Sequence, residues 1–199
     1  MKTIKVQVPF QGFYGTIHED QFDRFIEFEA QNMLDEGRFE EPLDAGDAVI
    51  DAVDWNKARQ RYAEAYVIGL FTIVEEEFGF YPEYKNVTVR SPREYNSSND
   101  VIEVEMEMED WLWLHTLVDM DQLAASVEEE LAPRSGFIPF YSNDINDWKH
   151  PTEWEFPQTG LLMKVLIEGI EEDYEEGICY DICIHELMDD CVDWGKLEG

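Results

Sequence analysis

Ile4, Val6 and Val8 alternate with polar neighbours, and this period of two predicts a short strand over residues 2–8. Residues 9–15, bounded by Pro9 and Gly15, read as a turn-rich loop. The period then changes. Phe22, Phe25, Ile26 and Met33 recur at helical spacing, with Asp20 placed to cap the first turn. Residues 35–47 are acidic and contain Gly and Pro, so a loop is expected there. The strongest helical pattern covers 48–78. Tyr62, Tyr66, Leu70 and Ile73 share one stripe, and Gly79 stands where a C-terminal stop belongs.

Val87 and Val89 mark a strand over 86–90, followed by a polar connection from Ser91 to Asn99 that contains Pro92. A strand over 101–108 puts Ile102, Val104, Met106 and Met108 on one face and Glu103, Glu105 and Glu107 on the other. Two such strands predict an antiparallel pair, one face on the core and one in water. Asp110 opens a further helical stretch, broken near Asp119–Asp121 and ending at Leu131 before Pro133. Residues 133–159 are irregular and aromatic-rich, and a helix resumes over 159–174. Residues 178–193 fit two patterns. Ile178, Tyr180, Ile182 and Ile184 alternate like a strand, whereas Cys183, Leu187 and Cys191 fit a helix. There is no internal repeat and no dividing linker. The expected fold class is α+β, a small antiparallel sheet packed with several helices in one domain over 1–199.

Charge changes this picture. The 199 residues hold 46 Asp and Glu against 14 Lys and Arg, a net charge of −32. Yet 44% of the residues are hydrophobic and 14% aromatic, which is the apolar content of a folded chain. Solubility needs a net charge of only about 2–8 in magnitude. Self-repulsion far beyond that destabilises a compact state. A saline cytoplasm, a solubility role or a strongly positive partner would each give it a reason.

The anions gather toward the C-terminal half. From Glu94 to Pro133 there are 12 acidic residues and no Lys or Arg, and from Ser135 to Gly199 there are 16 against three lysines. Four sets stand out as candidates for a partner-binding surface. The first is Glu103, Glu105 and Glu107, continued by Glu109 and Asp110. The second is Glu128, Glu129 and Glu130. The third is Glu171, Glu172, Asp173, Glu175 and Glu176, and the last is Asp189, Asp190 and Asp193. Glu75, Glu76 and Glu77 add a run at a helix C-terminus, where cations are preferred.

Duplex DNA carries one charge per about 1.7 Å of axis, so 32 charges match about 54 Å, or about 16 base pairs. Carboxylates two residues apart on a strand are about 6.7 Å apart, about half the linear density of one phosphate strand. One row is therefore insufficient, and a duplex-like surface needs several side by side. Such a surface would meet a Lys/Arg groove with a complementary field and exclude DNA from it, without an active site.

The segment Ser91-Pro92-Arg93-Glu94-Tyr95-Asn96, followed by Asp100, Ile102, Val104 and Glu105, resembles a pattern of small bacteriophage proteins of uncharacterised function. There an S-P-x-x-Y-N stretch leads into D-x-I-x-V-E. The resemblance covers 91–105 and implies a phage or prophage origin without assigning chemistry. By composition the chain also looks like the convergent class of DNA-mimic proteins that phages and plasmids use against restriction and CRISPR systems.

Catalytic signatures are missing: no phosphate loop, nucleophile elbow, H-E-x-x-H or EF-hand pattern occurs. Cys179, Cys183, His185 and Cys191 supply the ligand count of a Cys₃His zinc site, but C-x₃-C-x-H-x₅-C matches no zinc spacing, and reduced thiols are expected. His18 reads as a loop or helix-start residue, and His115 as a packed histidine between Trp111, Trp113 and apolar neighbours. Trp111, Trp113, Tyr141, Trp148 and Trp154 fit core packing better than an aromatic binding surface. Among 46 acids some pair always lies at a glycosidase-like distance, so carboxylate pairs discriminate nothing.

The expectation is a non-enzymatic protein without a cofactor that blocks a basic DNA-binding or defence protein of the host. The alternatives are a phage assembly or interaction protein without mimicry, and a metal-dependent enzyme. Direct nucleic-acid binding is opposed by Coulomb repulsion, and anionic membrane surfaces repel the chain. The longest apolar run, Ala65–Val74, has ten residues where a span needs about 20. No signal-peptide core follows the N-terminus, and three cysteines form no even disulfide framework, so a reducing cytoplasm is expected. A homodimer is compatible with these features.

Overall fold

A computed structural model describes residues 2–8, 16–90, 101–130, 149–154, 156–170 and 182–197. The fold is α+β, as expected: a small antiparallel sheet with helices around it. The chain runs β1 (Thr3–Val8), α1 (Thr16–Asp35), α2 (Pro42–Ala52), α3 (Trp55–Phe78), β2 (Tyr84–Arg90), β3 (Val101–Glu107), α4 (Met108–Leu117) and α5 (Met120–Glu130). After a 3-10 turn at Pro151–Glu153 come α6 (Phe156–Glu168), α7 (Ile184–Asp189) and α8 (Trp194–Leu197). The loops expected over 9–15 and 91–99 lie outside the described residues. Among those residues no helix is long and apolar enough to cross a membrane.

The sheet order is β1-β3-β2, with both outer strands antiparallel to β3. Ile4, Val6 and Val8 face the same layer as Ile102, Val104 and Met106, and all six are buried. That layer joins the α3 stripe of Tyr62, Tyr66, Leu70 and Phe71 in one core. Both sheet edges are occupied. On β1, the Gln7 amide donates to Thr159 Oγ1 of α6 at 2.9 Å. On β2, the Gln60 side chain of α3 donates from Nε2 to the Val87 carbonyl at 2.7 Å and accepts from the Val89 amide at 3.4 Å. Nε2 also donates to Glu64 at 2.8 Å, which fixes the orientation of the amide. Three backbone groups that could template another strand, one on β1 and two on β2, are thereby partnered.

Several boundaries differ from the sequence reading. Asp20 lies inside α1, which begins at Thr16, instead of capping it. The expected loop over 35–47 is short. α1 ends in a Schellman motif, with Gly37 at φ 72°, its amide on the Leu34 carbonyl and the Arg38 amide on the Met33 carbonyl. α2 then starts at Pro42, whose fixed φ and missing N–H suit a first helical position. The single helix expected over 48–78 is two. Val53 pairs with Val192 in an isolated antiparallel bridge, and Asp54 restarts the chain as the N-cap of α3, its carboxylate accepting the Lys57 amide at 3.1 Å. Gly79 closes α3 at φ 70°, as the sequence predicts. Met108 begins α4 instead of ending β3, α6 starts at Phe156, and the described part of 178–193 resolves as α7 with Val192 in the bridge.

Candidate functional site

The strand carboxylates do not form a free anionic row. Glu103 and Glu107 are each 7% exposed, because the flanking strands supply cover and partners. Lys5 Nζ donates to Glu103 at 2.6 Å, and Lys85 pairs with Glu107. Both lysines stay largely exposed while their carboxylates are buried beneath them, the usual compromise of an alkyl stem on the protein and an ammonium in water. Glu105 accepts from Asn86 Nδ2 at 2.9 Å and from Thr3 Oγ1 at 2.8 Å. These bonds, Asn86 first, with Lys85 and Lys5 nearby, hold its pKa below the ordinary 4.5. Donation of a hydrogen bond to the Glu107 carboxylate raises the pKa of Lys85 above 10.5. The expectation of one sheet face in water is thus corrected: it is a carboxylate ladder roofed by two ammonium groups. Asp110, in the first turn of α4, accepts the Glu83 amide at 2.7 Å, and Glu109 beside it is exposed.

A different acidic tract is assembled by the fold. In α2, Asp44, Asp47 and Asp51 follow helical spacing, and Asp54 continues the row at the start of α3; all four are exposed. Within α2 successive members rise about 5 Å along the axis, a closer spacing than strand carboxylates reach. From Phe39 to Asn56 there is no Lys or Arg. The turn after α7 is lashed to this row. Asp54 donates its amide to the Cys191 carbonyl at 2.8 Å, and Asp193 donates its amide to the Ala52 carbonyl at 2.9 Å, either side of the Val53–Val192 bridge. Asp189, Asp190 and Asp193, all exposed, therefore meet the end of the α2 row. Two cations attend the junction. Lys57 Nζ donates to the Asp190 carbonyl, and Arg61 lies 3.4 Å from the Asp190 carboxylate. On the far flank, Asp51 shares a cleft of about 630 Å³ with Arg38 and Lys196.

The α2 row was missed from sequence because 35–47 read as loop. Its signal was present in the spacing of Asp44, Asp47, Asp51 and Asp54. Of the other candidates, Glu128, Glu129 and Glu130 fall in the last turn of α5, and Glu171, Glu172, Asp173, Glu175 and Glu176 lie outside the described residues.

The thiol and histidine set is dispersed. Cys183 is exposed, and the His185 ring stands edge-on to Phe25 and Phe28 at 5.2 and 5.3 Å. Cys191 is buried, with Sγ donating to the Leu187 carbonyl at 3.2 Å, and burial pushes its pKa up. Cys179 lies outside the described residues, among which no group of three His, Cys, Asp or Glu could hold a metal ion.

Trp111 and Trp154 are buried with their rings 6.1 Å apart, and their indoles donate to the Pro151 and Lys149 carbonyls. His115 is half-buried edge-on against Trp154 at 5.3 Å. Burial, reinforced by His150, lowers its pKa below 6.5. Tyr141 and Trp148 are outside the described residues, and His18 falls within α1.

No family model matches the chain, nor does any curated protein or solved structure.

Proposed function

We propose that this protein is a non-enzymatic acidic decoy that occupies the cationic, DNA-binding surface of a basic host protein, in the manner of phage counter-defence proteins. The observation that carries this reading is the joining of two acidic sets, Asp44 to Asp54 and Asp189 to Asp193, across the Val53–Val192 bridge. They lie far apart in sequence, yet they are exposed together at one junction. The carboxylates of this row are exposed, whereas Glu103 and Glu107 of the strand ladder are buried beneath lysines. The sheet face contributes little, since three carboxylates there meet two lysines.

Side chains of α6 and α3 bond backbone groups on each sheet edge, which favours side-chain electrostatics over recognition by strand addition. Complementary charge raises the rate of encounter and makes the complex sensitive to salt.

The test is a pull-down from host lysate at low salt with the tagged full chain, repeated with competing duplex DNA. The expected result is a DNA-binding protein released both by duplex DNA and by salt. A partner that holds DNA and this protein at once, with no mutual effect, would overturn mimicry.

A further inference from the structure

The solvent face of α2 carries more than carboxylates. Leu43 is 76% exposed and Ile50 40% exposed, and they are two of the few large apolar side chains that the described surface leaves in water. They stand seven residues apart, two helical turns, with Gly46 between them. At about 100° per residue, Leu43, Gly46 and Ile50 fall within an arc of about 60°, and Asp44, Asp47 and Asp51 fill the adjoining arc. The opposite side of the helix, Ala45, Val49 and Ala52, is in the core. One flank of the exposed face is therefore apolar and the other anionic.

Gly46 is the unexpected member. Inside a helix glycine is less favourable than alanine, and such a position usually has a local reason. None operates among the described residues: its φ is not in the left-handed region, and a Cβ built on it meets none of their atoms within 4 Å. The missing side chain leaves open space at the centre of the Leu43–Ile50 stripe. That space is what a second helix needs to bring its backbone close, with Leu43 and Ile50 as knobs one heptad apart.

We infer that this face of α2 docks a basic amphipathic α-helix of the partner protein, its apolar stripe seated over Gly46 between Leu43 and Ile50 and its Lys/Arg flank against the Asp44, Asp47 and Asp51 carboxylates. The inference rests on the decoy reading and adds to it. DNA offers no counterpart to the two apolar side chains, so they select a protein surface and contribute an affinity component that salt does not remove.

The test uses the ¹⁵N-labelled full chain and two probes: a synthetic 21-residue helical peptide with Leu and Ala on one stripe and Lys and Arg beside it, and an oligolysine of equal charge. With the amphipathic peptide, amide shifts should concentrate at residues 43–51 and persist at raised salt better than with oligolysine. Gly46→Ala should raise the melting temperature of the free protein by about 2–4 °C, because helix propensity improves. It should also weaken the amphipathic peptide by about tenfold, because the added methyl props the helices apart. A purely structural glycine would not separate stability from binding in this way. The double change Leu43→Ser, Ile50→Ser should weaken this peptide about tenfold or more and leave oligolysine unaffected.

Shifts centred away from α2, or unchanged affinity for Gly46→Ala, would overturn the docking face. Oligolysine bound as tightly as the amphipathic peptide would do the same while leaving the decoy reading in place. If neither peptide binds at low salt, both readings fail.

Discussion

The burial of Glu103 and Glu107 beneath exposed lysines shows how little a carboxylate's sequence neighbours say about its surroundings in the fold. Glu105 is the most informative of the ladder. Its pKa is lower folded than unfolded, so its contribution to stability is complete above the ordinary 4.5 and is lost as pH falls through the lowered folded value. Replacing Asn86 by Leu and Thr3 by Val removes the two donors. The Glu105 carboxyl, followed by ¹³C NMR titration, should then titrate closer to its ordinary value. An unmoved titration would assign the shift to Lys85 and Lys5 alone. His115 acts in the same direction over a higher window. Being depressed below 6.5, it stabilises the fold fully above that pH and less as pH falls through it. The thiols provide a second check. Alkylation with iodoacetamide at neutral pH should label exposed Cys183 in the native protein and spare Cys191 until denaturant is added. Equal labelling would contradict the burial of Cys191.

At the scale of elements, occupancy of the sheet edges by side chains of α3 and α6 leads to a direct expectation. Gln60→Leu leaves the Val87 carbonyl and the Val89 amide without their partner. It should cost about 1–3 kcal/mol in urea unfolding and increase light scattering on heating. Unchanged stability would mean water satisfies the edge equally well. Asp54→Ala should cost about 1 kcal/mol as a lost N-cap.

The strands, the α1 and α3 stripes and the Gly79 stop were legible because each follows from burial period or local backbone chemistry. The break at Val53–Asp54 was not, since it is imposed by Val192 from the other end of the chain. Nor was the neutralisation of the strand ladder: Lys5 reaches Glu103 from 98 residues away, and nothing in a 101–108 window announces it. The α2 row hid behind Pro42 and Gly46, which read as loop punctuation but serve as a first-turn proline and a half-buried helical glycine.

For the molecule as a whole, a net charge of −32 on one small fold predicts that salt stabilises it. Raising ionic strength from 10 to 150 mM shortens the screening length from about 30 to about 8 Å, which screens repulsion between the more distant exposed carboxylates. The calorimetric melting temperature should rise across that range while affinity for a basic partner falls. A melting temperature indifferent to salt would mean that internal ion pairs already absorb most of the repulsion, and a cooperative transition in dilute buffer would set aside adaptation to a saline cytoplasm.

The lashing of residues 191–193 onto the α2–α3 junction also orders events in time. During synthesis, the helix bearing Asp44 to Asp51 leaves the ribosome long before the turn that completes its tract. On the decoy reading, a nascent chain therefore displays a partial bait, and translation must pass Asp193 before the full one exists. Ribosome-associated intermediates should then compete for a basic target less well than the complete protein.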